Sequence, residues 1–154
     1  MKLAEALTAR ADLQRRIEQL RARIVASARY QEGEEPAEDA AALLVEADLV
    51  LEQLQDLIRR INATNARLEL GDGTMTDALA QRDVLRLQHS LLTDAAAAAS
   101  GANQMGMRQM RSELRQIAAL PVAPLRTSAD DVARRLRELD NRIQQANWTN
   151  DLEG

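Results

Sequence analysis

Few residues in this sequence are of a type and spacing that could do chemistry. The lone histidine, His89, lies in LRLQHSLL, and Asp83, Arg86 and His89 step by three. On a helix that spacing puts a carboxylate, a guanidinium and an imidazole on one face, the set an enzyme would need as acid, base and positioning charge. Nucleophilic catalysis also requires a hydroxyl or thiol fixed beside the base. No Ser or Thr near His89 is held by a recognisable turn, so an ion-paired helix face is the commoner outcome of this spacing. Two amides complete the candidate polar cluster, Asn62 and Asn65, which sit in LIRRINATN. Asn65 falls on the apolar stripe of its segment, where a polar side chain costs stability but can fix register or oligomeric state once it finds a partner. The cluster is therefore Asn62, Asn65, Asp83, Arg86 and His89, with no catalytic, cofactor-binding or metal-binding residue assigned.

Other chemistries fail on spacing. Glu32, Glu34, Glu35, Glu38 and Asp39 are dense, but they lack the alternating ligands and closing Glu of a calcium loop. The residue three before His89 is Arg86, so the Glu-x-x-His pair of a di-iron bundle is missing. GDG at 71–73 has neither the Gly spacing nor the Lys of a phosphate loop. The chain has 0 Cys, which removes disulfides, thiolate metal sites and cysteine nucleophiles. Asn-x-Thr occurs at Asn62 and Asn147, but the N-terminus carries Glu5 and Asp12 where a signal peptide keeps an apolar stretch, so these match the glycosylation pattern by chance. With a formal net charge of −4 and a single lysine, Lys2, no basic arm is available for nucleic acid. No run of 18 apolar residues suggests a membrane span. A cytoplasmic, nonenzymatic protein without cofactor is the expectation.

The elements that must position these residues are helices. Hydrophobic residues make up 45% of the 154 and aromatic ones only 1%, so Leu, Ile, Val and Ala must fill the core, which suits helix packed on helix. Leu3, Ala6, Leu13, Ile17, Leu20 and Ile24 advance by threes and fours, interrupted by Arg10 and Ser27, and predict one helix over residues 2–30 with a coiled-coil partner. QEGEEPAED, with Gly33 and Pro36, makes residues 31–37 the loop of a helical hairpin. A second helix carries the stripe Leu44, Ala47, Leu51, Leu54, Ile58, Ile61, Asn65 and Leu68. LELGDGTMTDAL reads as a turn whose flanks, 67–70 and 74–76, could pair briefly as strands, with Thr76 as N-cap of a third helix over about 77–99. Its expected inward face is Ala80, Val84, Leu87, Leu91 and Ala95. Residues 100–127 lose periodicity and form an irregular insert, part of which should be ordered as a β-hairpin or strand pair within 100–124. The segment from Ala95 to Met110, rich in Ala, Gly and Met, reads as a flexible loop. Ser128 caps a fourth helix with Val132, Leu136, Leu139, Ile143 and Ala146 inside, ending near Asn147.

Trp148 extends that last stripe past the helix end. It is predicted to be buried as a structural anchor that closes the fold, either across the ends of the helical hairpin or against a neighbouring subunit, with Asn147 and Thr149 tying the turn.

RYQEGEEPAED, LIRRINATN, MTDALAQRDVLRLQHSLL and RELDNRIQQANWTNDL together resemble a bacterial family labelled septicolysin-like, over nearly the whole chain. That resemblance implies a pore-forming or membrane-active cytolysin as the alternative function, and it carries over no catalytic residue. The reading of the residues themselves is a single, mainly α domain over 1–154. A long antiparallel helical hairpin packs with two further helices as a coiled-coil-like bundle, and heptad spacing in helices this long predicts homo-oligomers.

Overall fold

The computed structural model describes residues 1–102 and 114–154. The chain is mainly helical: α1 (Leu3–Ser27), α2 (Ala40–Arg67), β1 (Glu69–Leu70), β2 (Gly73–Thr74), α3 (Met75–Ala99) and α4 (Val122–Thr149). It divides into two compact units, one of residues 1–69 with 144–154, the other of residues 70–143.

In the first unit α1 and α2 form the antiparallel hairpin that the sequence predicts. The second half of α1 meets the end of the loop and the early part of α2, Arg23 with Glu38 and Arg16 with Glu46. Leu20, Leu43 and Val50 are buried together, with Leu13, Ile17, Ile24 and Ala47 packed around them. The α1 stripe is as expected. On α2 the inward residues are Leu43, Val50, Leu57, Ile61 and Thr64; Ile61 is as expected, with Ala47 and Leu54 partly buried, whereas the row expected at 44, 51, 58 and 65 is displaced by one position to 43, 50, 57 and 64. The sequence offers an adjacent apolar pair in each heptad, 43/44, 50/51 and 57/58, and the first member of each pair turns in. Leu44 and Leu51 are left exposed, and Thr64, not Asn65, takes the buried polar position. Asp39 caps α2 by accepting from the amides of Ala41 and Ala42 at 3.0 and 3.1 Å. The loop is held at its base by the Arg23 guanidinium, which pulls the Glu38 carboxyl below its ordinary range.

In the second unit β1 and β2 form the brief strand pair foreseen around GDG. Gly71 has φ 70°, as a two-residue hairpin with Gly first requires. The cap of α3 is Thr74 rather than Thr76. Its hydroxyl accepts from the Asp77 amide at 3.3 Å, while Asp77 Oδ2 accepts from the Thr74 amide and hydroxyl, both at 2.8 Å. Thr and Asp three apart make a reciprocal capping box. A Cβ on Gly73 would stand 2.8 Å from that same Oδ2 and 3.2 Å from the Asp77 Cβ, so the box requires glycine there.

The α3 expectation is inverted. Met75, Ala78, Leu85 and Ala96 are buried, whereas Val84, Leu87 and Leu91 are 62%, 72% and 69% exposed. Arg82 and His89 interrupt the buried face and sit half-buried on it. Their polarity makes the opposite face look like the inner one in sequence. α4 starts six residues before Ser128, at Val122. Pro124 lies in its first turn, where the missing amide has no intrahelical partner to lose, and Leu125 N–H donates to Pro121 O at 3.3 Å. Ala129, Val132, Leu139, Ile143 and Ala146 are buried, in agreement with the predicted stripe. Of the insert, residues 103–113 lie outside the described residues, as does much of the Ala95–Met110 segment. Residues 114–121 form no strand, and 122–127 are helical, which removes the expected β-hairpin from the described part of 100–124.

Trp148 is 63% exposed in the single chain, so it is not buried across the ends of the hairpin. It lies roughly 200° around the helix from Ala146, off the buried stripe, because two residues advance a helix by more than half a turn. Asn147 is buried in its place.

Candidate functional site

The densest long-range polar cluster in the first unit joins both chain ends to α2. The first amides of a helix have no partner within it, and here the chain following α4 supplies one: Leu3 N–H donates to Asn150 O at 3.0 Å. Leu152 N–H donates to Met1 O at 2.8 Å, making an antiparallel bridge between Lys2 and Asp151. The Lys2 side chain straddles the same pair, with Nζ 3.1 Å from Asp151 Oδ1 and 3.2 Å from Thr149 O. Leu3 and Leu152 are buried beneath.

On the other side the tail meets α2. Glu153 N–H donates to Thr64 Oγ1 at 3.0 Å, and the Thr64 hydroxyl donates to Arg60 O at 2.9 Å. Arg60 Nε donates to Glu153 O at 3.0 Å, and Arg67 Nη1 reaches the Glu153 carboxylate at 2.5 Å. A depression of about 340 Å³ beside this contact is lined by Thr64, Arg67, Leu68, Glu69, Asn150, Asp151 and Glu153. Leu152 therefore does the work expected of Trp148: it is the apolar plug, and backbone pairing on both flanks holds it. Thr64 is both donor and acceptor, its hydroxyl proton directed to a backbone carbonyl and not to a base, which is the arrangement of a clasp.

The sequence-predicted cluster is distributed over both units. Asn62 is exposed and Asn65 half-buried on α2, and neither side chain bonds to a described residue. Asp83 and Arg86 do meet, at 3.8 Å, and share a network with Arg82 and Asp140. Arg82 stands 3.7 Å from Asp83 and 4.0 Å from Asp140, and Arg86 stands 3.9 Å from Asp140. These pairs place the start of α3 beside the end of α4, so the two run antiparallel. His89, half-buried one turn further on, makes no hydrogen bond or ion pair to a described residue. Sequence reading missed Asp140, Thr64 and Glu153, whose partners are remote in the chain. Among the described residues no group of three or more His, Asp or Glu is placed to hold a metal ion, and no helix is long and apolar enough to cross a membrane.

The model of a family of unknown function, DUF6847, matches residues 10–152. The chain belongs to this family. A DUF6847 assignment overturns the septicolysin-like resemblance drawn from RYQEGEEPAED and the three other blocks, and removes the ground on which the cytolysin expectation rests. Those blocks are rich in Arg, Glu, Gln and Leu, the ordinary composition of exposed long helices, and this composition makes helical families look alike. The DUF6847 chain is also similar to a crystal structure described as a functionally unknown conserved protein from Corynebacterium diphtheriae, with 36% identity over 99% of each chain and a TM-score of 0.91. No curated protein matches it.

Proposed function

We propose that the protein is a nonenzymatic helical interaction module that assembles with copies of itself through the outward face of α3. The observation that carries this reading is the exposure of Val84, Leu87 and Leu91, flanked in the same row by Ala80, Ala95 and Ala98. These residues recur at three- and four-residue spacing, the pattern of a helix–helix seam. A helix apolar on two opposite faces needs two apolar neighbours, and Met75, Ala78, Leu85 and Ala96 already take up one face.

Magnitudes favour a contact wider than α3 alone. Burying a large aliphatic side chain contributes about 1.5–3 kcal/mol, so three from each of two copies contribute roughly 9–18 kcal/mol. Association costs about 4–15 kcal/mol in lost freedom and ordering. Ile117 and Leu120, exposed in the same unit and beside Ala95 and Ala98, are the natural additional area. A twofold contact needs only one self-complementary patch, which is why a second copy is the economical partner.

Support for a nonenzymatic role comes from how the polar groups are used. Asp83 is engaged with Arg86, Arg86 also with Asp140, and His89 makes no hydrogen bond to a described residue. Light scattering at micromolar concentration tests the assembly: a mass that is a multiple of the chain mass is expected, and a monodisperse monomer would refute it. Turnover of any screened substrate that disappears in His89→Ala would contradict the nonenzymatic half.

A further inference from the structure

The second unit carries a concavity that the self-association reading does not use. It lies between α3 and α4, measures about 600 Å³, and is lined by Gln81 from α3 and by Arg135, Glu138, Leu139, Asn141 and Arg142 from α4. Arg135 and Arg142 are both exposed, and neither is ion-paired to any described residue. Arg82 and Arg86 are engaged with Asp83 and Asp140, and Arg134 with Asp131 and Glu138; Arg115, Arg126 and Arg137 are likewise not ion-paired to a described residue, but they do not line the groove. The lining carboxylate, Glu138, is ion-paired with Arg134 at 3.1 Å, which offsets its charge. Two amide side chains, Gln81 and Asn141, add neutral donors to the same wall.

Arg142 is also placed by the backbone. Its Nη1 would stand 3.4 Å from a Cβ on Gly71, so the guanidinium rests over the glycine turn between β1 and β2. Arg135 and Arg142 are seven residues apart, two turns on one helix face, with their Cα atoms about 10 Å apart. Two guanidinium groups on one helix face, with amide side chains lining the same groove, suit a ligand with two anionic ends better than a single small ion.

We propose that this groove binds a small polyvalent oxyanion of the diphosphate type, one end held by Arg142 over the glycine turn and the other by Arg135. Gln81 and Asn141 donate to the oxygens between. The site stands independently of the self-association reading, because none of its residues belongs to the Val84, Leu87 and Leu91 row.

Calorimetric titration of the full chain with inorganic pyrophosphate, and separately with orthophosphate, at physiological ionic strength tests it. Saturable pyrophosphate binding is expected, with orthophosphate at least tenfold weaker. Arg135→Gln and Arg142→Gln should each weaken pyrophosphate at least tenfold, and Arg137→Gln, on the same helix but outside the groove, should leave it unchanged. Absence of saturable binding at millimolar pyrophosphate would overturn the proposal, as would an equal loss in Arg137→Gln, which would mark general charge attraction. Circular dichroism of each variant confirms that the helices persist; these residues are exposed, so folding is expected to survive.

Discussion

Replacing Thr64 with Val tests the terminal clasp through a single atom. Val keeps the β-branched shape and removes the hydroxyl, which accepts from Glu153 N–H at 3.0 Å in a position almost closed to water. The loss on the Arg60 side is small, because that carbonyl keeps its helical partner. Leaving a buried amide without an acceptor costs about 1–3 kcal/mol. The tail can detach and rehydrate its amide, which caps the penalty at the free energy of tail opening, so about 1–2 kcal/mol is expected. In a chain of this size that lowers Tm by about 2–8 °C. Hydrogen exchange locates the effect more sharply: the amides of Leu152, Glu153 and Leu3 should exchange about 5–30-fold faster, because all three bonds break when the tail lifts. Amides at the hairpin core around Leu20 and Leu43 should keep their rates. Unchanged exchange at Leu152 and Glu153 in a folded Thr64→Val protein would refute the clasp as a cooperative unit.

Leu20→Ala, at a position 1% exposed in the hairpin core, should cost about 2–5 kcal/mol, seen as a lower urea midpoint with the slope unchanged. Ser27→Ala should stabilise by about 1 kcal/mol in the same assay, because Ser27 Oγ is buried without a hydrogen-bond partner. Asp77 has its carboxyl lowered by the Thr74 backbone N–H first and the Thr74 hydroxyl second. A folded-state pKa below the unfolded one gives stability that is present above the unfolded value and lost as pH falls through the folded one. The acid limb of the Tm–pH curve should therefore flatten in Asp77→Asn, and an unchanged limb would show that the cap does not contribute.

Local patterns made much of the fold legible. The α1 and α4 stripes have one apolar residue wherever a seam needs one, so periodicity alone orients them. The α2 register slipped because adjacent apolar pairs, such as Leu43 with Leu44, satisfy two stripes equally, and only the partner helix chooses between them. On α3 the pattern pointed the wrong way, since Arg82 and His89 occupy the buried face while Val84, Leu87 and Leu91 make the cleaner stripe outside. Thr74 was readable from its spacing to Asp77, but Thr76 competed for the same role. The clasp was not legible: Thr64 and Glu153 are 89 positions apart, and nothing local marks either as the other's partner. The pull of aromatic size drew attention to Trp148, when the shorter Leu152 lies in register with the backbone pairing. Asp83 and Arg86 were paired correctly from helix spacing, but Asp140, which completes their network, is a tertiary neighbour.

Sedimentation equilibrium of the wild type beside Leu87→Glu tests the central claim most directly. Leu87 is 72% exposed in the single chain, so a charge there leaves the fold intact and acts on whatever covers it. The account predicts a wild-type mass that is a multiple of 17.1 kDa and a Leu87→Glu protein that sediments as a monomer with unchanged helicity. A wild type that is monomeric at tens of micromolar, or a Leu87→Glu variant that keeps the full assembly mass, would contradict it.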